Sequence, residues 1–101
     1  MTISDEELKV HLNAETGKLT WGELQTHFAR GIVIKVAPEM DLVLVAMSIV
    51  KDDKVTIQDL MDTGKIIRAN DSHGRIWAEK AANFWAVVTP PWVLVQEVES
   101  E

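Results

Sequence analysis

The segment Phe84-Trp-Ala-Val-Val-Thr-Pro-Pro-Trp-Val-Leu-Val-Gln96 constrains the fold more than any other, because it places apolar residues at both even and odd positions and carries no charge. Aromatic and β-branched residues favour extended backbone, and successive side chains of a strand point to opposite faces. A strand that is apolar on both faces must be covered on both. Proline cannot continue a β-ladder, so the segment reads as a hairpin that pairs Trp85 to Val88 with Trp92 to Val95 around a stiff Thr89-Pro-Pro91 connection. Trp85 and Val87 then oppose Phe84, Ala86 and Val88 across the strand. Helices of the same chain can cover one face, and a partner is expected on the other.

A chain of 101 residues, 47% hydrophobic and with four Trp, has material for a single core, so residues 1–101 are read as one domain. No apolar run approaches the roughly 20 residues that span a bilayer, and the basic and apolar segments of a signal peptide are not seen near Met1, which points to the cytoplasm. The absence of Cys excludes disulfides, thiol nucleophiles and thiolate metal sites. The net charge of −6 comes from acids at about 1–7 and 97–101, which read as solvated ends, and the body between them is neutral. Its Lys and Arg are scattered rather than clustered, which argues against a nucleic-acid partner.

Several helix starts are visible. Ser4 before Asp5-Glu-Glu7 opens a first helix ending near Asn13, and Thr20-Trp-Gly-Glu23 is a capping box with Trp21, Leu24 and Phe28 on one stripe behind it. Gly31 stops that helix, and Ile32-Val-Ile-Lys-Val36 reads as a strand. Residues 41–50 suit either state by composition; length and the Asp41 cap favour a buried helix. Thr56-Ile-Gln-Asp59 signals another short helix, stopped at Gly64, and Lys65 to Ala69 a second strand. Asp71 or Ser72 caps a last helix running to about Asn83. The resulting order is αα-β-αα-β-α-ββ: an α+β domain with helices packed on a small, mostly antiparallel sheet of about four strands.

The runs Leu12-Asn-Ala-Glu-Thr16, Thr20-Trp21, Ala29-Arg-Gly-Ile-Val33, Asp41-Leu-Val43, Trp85-Ala-Val-Val88 and Pro91-Trp-Val-Leu-Val-Gln-Glu97 carry a family likeness. The chain resembles the bacterial domain of unknown function family numbered 2288 over nearly its whole length, most specifically in the hairpin. The resemblance implies a small bacterial protein and brings no catalytic or binding residue with it.

Motifs for chemistry are sparse. His11, His27 and His73 never stand three or four apart, so no metal-ligand pair is formed, and the five glycines make no phosphate loop; neither a metal nor a cofactor is expected. Glu23, His27 and Arg30 share one helical face, where a carboxylate beside an imidazole and a guanidinium would suit a general base with an anion clamp. Any amphipathic helix displays such a set on its solvated side, so the face is the alternative site rather than the leading one. Leu60-Met-Asp62-Thr-Gly64 resembles the active-site loop of the small dimeric aspartic proteases, but Lys65 stands where that motif has a small residue and the triplet ends a predicted helix. No catalytic residue is assigned. The sequence favours a non-enzymatic module that binds an unidentified protein partner and forms a homodimer through Trp85, Val87 and Trp92.

Overall fold

Each helix begins where a side-chain oxygen meets an unpaired backbone N–H. The protein is described here by a computed structural model covering residues 4–98. Ser4 accepts from Glu7 N ahead of α1 (Asp5–Glu15), and Thr20 and Glu23 complete a reciprocal capping box on α2 (Trp21–Ala29). Asp41 accepts from Val43 N and Leu44 N at the head of α3 (Leu42–Val50), which establishes residues 41–50 as helical. Asp53 caps α4 (Lys54–Asp62) through Thr56 N, and Asn70 caps α5 (Asp71–Lys80) through His73 N. Those last two starts lie upstream of the expected Thr56 and Asp71 or Ser72, because a carboxylate or amide three residues before the receiving N–H was available in each case. Helix α1 also runs past Asn13, closed by the Thr16 hydroxyl donating to Leu12 O.

The strands are β1 (Gly17–Thr20), β2 (Val33–Val36), β3 (Ile66–Arg68), β4 (Asn83–Thr89) and β5 (Trp92–Glu97), forming one sheet in the order β1-β4-β5-β2-β3. The expected hairpin is β4 and β5, antiparallel with Trp85 opposite Gln96 and Thr89 opposite Trp92, joined by Pro90-Pro91. The sheet has five strands rather than about four, since β1 pairs with β4; a segment with Leu19 as its single large apolar residue gave no strand pattern. The sheet is mostly antiparallel as expected, and the exception among its pairings is β2, which lies parallel to β5 with Val33 opposite Val93.

Helices cover both sides of this sheet. On one side α1, α3 and α4 pack Leu12, Val45 and Leu60 onto Val36, Val87 and Leu94. On the other, α2 and α5 pack Leu24 and Trp77 onto Val33, Phe84 and Val95. The central strand β5 therefore buries Leu94 on one face and Val93 and Val95 on the other. Full burial of each such side chain is worth about 1.5–3 kcal/mol. The α2–α5 layer is aromatic: Phe84 meets Trp77 edge-on at 4.9 Å between centroids, and Trp21 meets Phe28 likewise at 5.3 Å. Gly74 of α5 lies where α2 comes closest; a Cβ there would stand 2.6 Å from Phe28 Cζ. Gly31 and Gly64 follow α2 and α4 with φ of +72°, the left-handed conformation that glycine adopts without strain.

Candidate functional site

The hairpin residues separate into three environments. Val87 is 1% exposed beneath α1 and α3, which takes it away from any surface. Trp85 is 41% exposed, and Lys18, its partner across the β1–β4 pairing, places Nζ 4.9 Å from its ring centroid. Trp92 is half-buried and forms a wall of a cleft. Helices of the same chain pack on both faces of the hairpin and leave Trp85 exposed on one of them.

The cleft lies under the Pro90-Pro91 turn and has a volume of about 540 Å³. Its floor is Ile34 of β2 and Ile66 of β3, its far wall is Ile57 and Met61 of α4, and Ile49 of α3 closes it with Asp52 of the turn that follows. Met61 and Ile67 are 57% and 44% exposed, so apolar surface continues from the interior onto the rim. Volumes of roughly 300–1,000 Å³ with mostly apolar walls and a few polar groups are typical of ligand sites.

Two charged side chains line the cleft. Arg68 Nε donates to Gly31 O at 2.9 Å, and its guanidinium carbon stands 5.7 Å from the centroid of the Trp92 ring. No carboxylate pairs with Arg68 among the described residues. Asp52 has the exposed Lys54 ammonium 3.9 Å away, a loose contact that contributes little energy. Sequence reading overlooked Arg68, although alternation along Lys65 to Ala69 already placed it on the face of Ile66. What the sequence lacked was the register, in which Ile34 pairs with both Arg68 and Leu94 and so brings β3 beside Trp92.

The alternative site does not assemble in the same way. Glu23 is engaged by Thr20 N and Thr20 Oγ1 at 3.1 and 3.2 Å in the capping box, Arg30 is exposed, and His27 has its Nδ1 enclosed without a hydrogen-bond partner among the described residues. No hydrogen bond joins the three. Asp62 accepts from Gln58 Nε2 at 2.8 Å on the surface of α4, and Gly64 ends that helix, so the Asp-Thr-Gly triplet is a helix stop.

A second charged cluster sits across the sheet from the cleft, at the far end of β5. Glu97 accepts from Trp77 Nε1 and from Lys80 Nζ, both at 2.8 Å. Burial pushes its carboxyl up, but those two donors together with the Lys80 and Lys35 charges hold it below the ordinary value. His73 stacks on Trp77 at 5.6 Å; burial and the Lys35 charge lower its affinity for a proton, against a smaller opposing pull from Glu97. The donors and acceptors satisfy one another, and the cluster ties α5 to β5. Of the expected acidic ends, Glu97 is thus a structural partner and Asp5, Glu6 and Glu7 form the first turn of α1; positions 1–3 and 99–101 lie outside the described residues.

Among the described residues, five helices cover the two faces of a five-stranded mixed sheet with a cleft beneath the hairpin turn, which is an α+β architecture. The chain belongs to the family described as protein of unknown function (DUF2288), whose model matches residues 7–97. It is also similar to the protein PA1075 from Pseudomonas aeruginosa, whose structure was solved by NMR in solution: the two are 33% identical over 99% of this chain and 93% of that one, with a TM-score of 0.82. No curated protein matches the chain. No helix among the described residues is long and apolar enough to cross a membrane.

Proposed function

We propose that the protein is a non-enzymatic binding module and that the cleft beneath the Pro90-Pro91 turn is its site. The observation that carries this reading is a preformed apolar hollow of about 540 Å³ walled by Trp92 on the central strand and by Ile57 and Met61 on α4. Apolar walls supply affinity by removing ligand surface from water, and a wall built on a strand and a helix holds its shape before the ligand arrives. The capping duty of Glu23 favours the cleft over the Glu23, His27 and Arg30 face, since the cap occupies its carboxylate and no hydrogen bond joins it to the other two. Trp92 thereby keeps the binding role expected of it, with the occupant entering beside the hairpin rather than stacking on the sheet.

An uncharged solvent-sensitive dye such as Nile red tests the site. The wild type is expected to bind it one to one with blue-shifted, enhanced emission. Met61→Glu, at a position exposed enough to accept a charge without unfolding the protein, is expected to lose that enhancement while keeping its circular dichroism spectrum. A wild type that leaves the dye unchanged, or a variant that binds as well as wild type, overturns the assignment.

A further inference from the structure

We infer that the cleft takes a small amphipathic carboxylate, its apolar chain or ring in the hollow and its carboxylate on Arg68. This rests on the cleft being the binding site and adds the chemical class of its ligand. The walls are apolar apart from two charges, and these are not equivalent. Asp52 has a lysine beside it, whereas Arg68 has no carboxylate partner among the described residues. Arg68 is exposed beside an apolar hollow, and a carboxylate entering there can answer its guanidinium with charge-assisted hydrogen bonds.

Arg68 is also held in place for that purpose. Its Nε is tethered to Gly31 O at 2.9 Å with Nη2 lying against Gly31, and no hydrogen bond engages Nη1 or Nη2 among the described residues. The Trp92 ring faces it at 5.7 Å, a cation–π contact that restrains the guanidinium without using any of its N–H donors. Gly31 makes room for it: a Cβ at that position would stand 3.0 Å from Nη2. Side-chain entropy that binding would otherwise remove is already lost in the folded protein, so more of each new hydrogen bond appears as affinity. The hollow leading away from Arg68 offers Ile34, Ile57 and Met61, which match a hydrocarbon tail or ring and nothing strongly polar.

Three probes of one tail length and different heads separate the class of ligand from the site itself: octanoate, octanol and octylammonium, each titrated below its micelle concentration into isotopically labelled protein and followed by ¹H–¹⁵N spectra. Octanoate is expected to shift the Trp92 indole and the Ile57 and Ile67 amides and to bind about tenfold more tightly than octanol, with octylammonium weaker still. Arg68→Gln should bring octanoate down to the level of octanol, and Arg68→Lys should restore part of the difference. Equal binding of octanoate and octanol by the wild type overturns the carboxylate preference while leaving the cleft as the site. Failure of all three probes to shift cleft residues overturns both. The comparison among probes on wild-type protein needs no variant, so a poorly folded Arg68→Gln would not rescue the inference.

Discussion

His73 accepts a hydrogen bond from Asn70 N through Nδ1 at 3.1 Å, which requires that nitrogen to be unprotonated. The backbone N–H of His73 donates to Asn70 Oδ1, so one residue serves both halves of the α5 cap, one through its imidazole and one through its backbone. Its proton affinity in the folded state lies below the ordinary value of 6.5, because burial and Lys35 disfavour the cation. As pH falls through about 6.5 the unfolded chain takes up a proton that the folded protein declines, and stability drops until the folded pKa is passed. Glu97 acts in the same direction in a lower window, beneath its ordinary 4.5, where protonation breaks its bonds to Trp77 and Lys80. Urea midpoints measured at about pH 7.5 and about pH 5.5 should therefore fall for wild type and fall less for His73→Gln. Equal slopes would mean that His73 is not the group involved. Little of this was legible beforehand: the caps at Ser4, Thr20 and Asp41 depend on neighbours three residues away and could be read, but the contacts of His73 with Trp77 and of Glu97 with Lys80 depend on how α5 lies on the sheet.

Helix α5 shows how one element is fitted to another. Its apolar side is short, and the position nearest α2 is a glycine whose missing Cβ is replaced by the Phe28 ring, itself held by Trp21 at 5.3 Å and Trp77 at 6.3 Å. In an isolated helix alanine at this position would gain about 1 kcal/mol over glycine. Here the added methyl meets a ring boxed in by two indoles, and overpacking of that kind costs about 1–3 kcal/mol. Gly74→Ala is expected to lower stability by about 1 kcal/mol net in urea denaturation. A gain would show that Phe28 can move aside at no cost. From sequence alone Gly74 was only a weak spot in a helix, because propensity describes a residue against water and says nothing of the neighbouring helix. Residues 42–50 show the opposite case: their composition was ambiguous, and the Asp41 cap, a local feature, was the deciding signal.

At the scale of the whole molecule, the hairpin's demand for cover on two sides is met by α1, α3 and α4 on one face and α2 and α5 on the other. The exposed apolar groups that remain on β4, Trp85 and Val88, point to opposite faces and do not combine into one patch. A stable symmetric interface needs more than about 1,000 Å² of buried surface, so light scattering at micromolar concentration is expected to give the mass of one chain. A dimer that dissociates on Trp85→Glu would reverse that expectation. The cleft was illegible for a related reason: its walls come from α3, α4, β3 and the hairpin turn, and only the strand order brings them together. That order has a further consequence. Strand β5 lies at the centre of the sheet, between β4 and its parallel neighbour β2, yet it is the last strand along the chain. Without it the sheet would fall into two separate ribbons, β1 with β4 and β2 with β3, each too small to hold a core in water. Strand β5 is the keystone of the sheet, and a chain emerging from the ribosome cannot close either hydrophobic layer until residues 92–97 have been made.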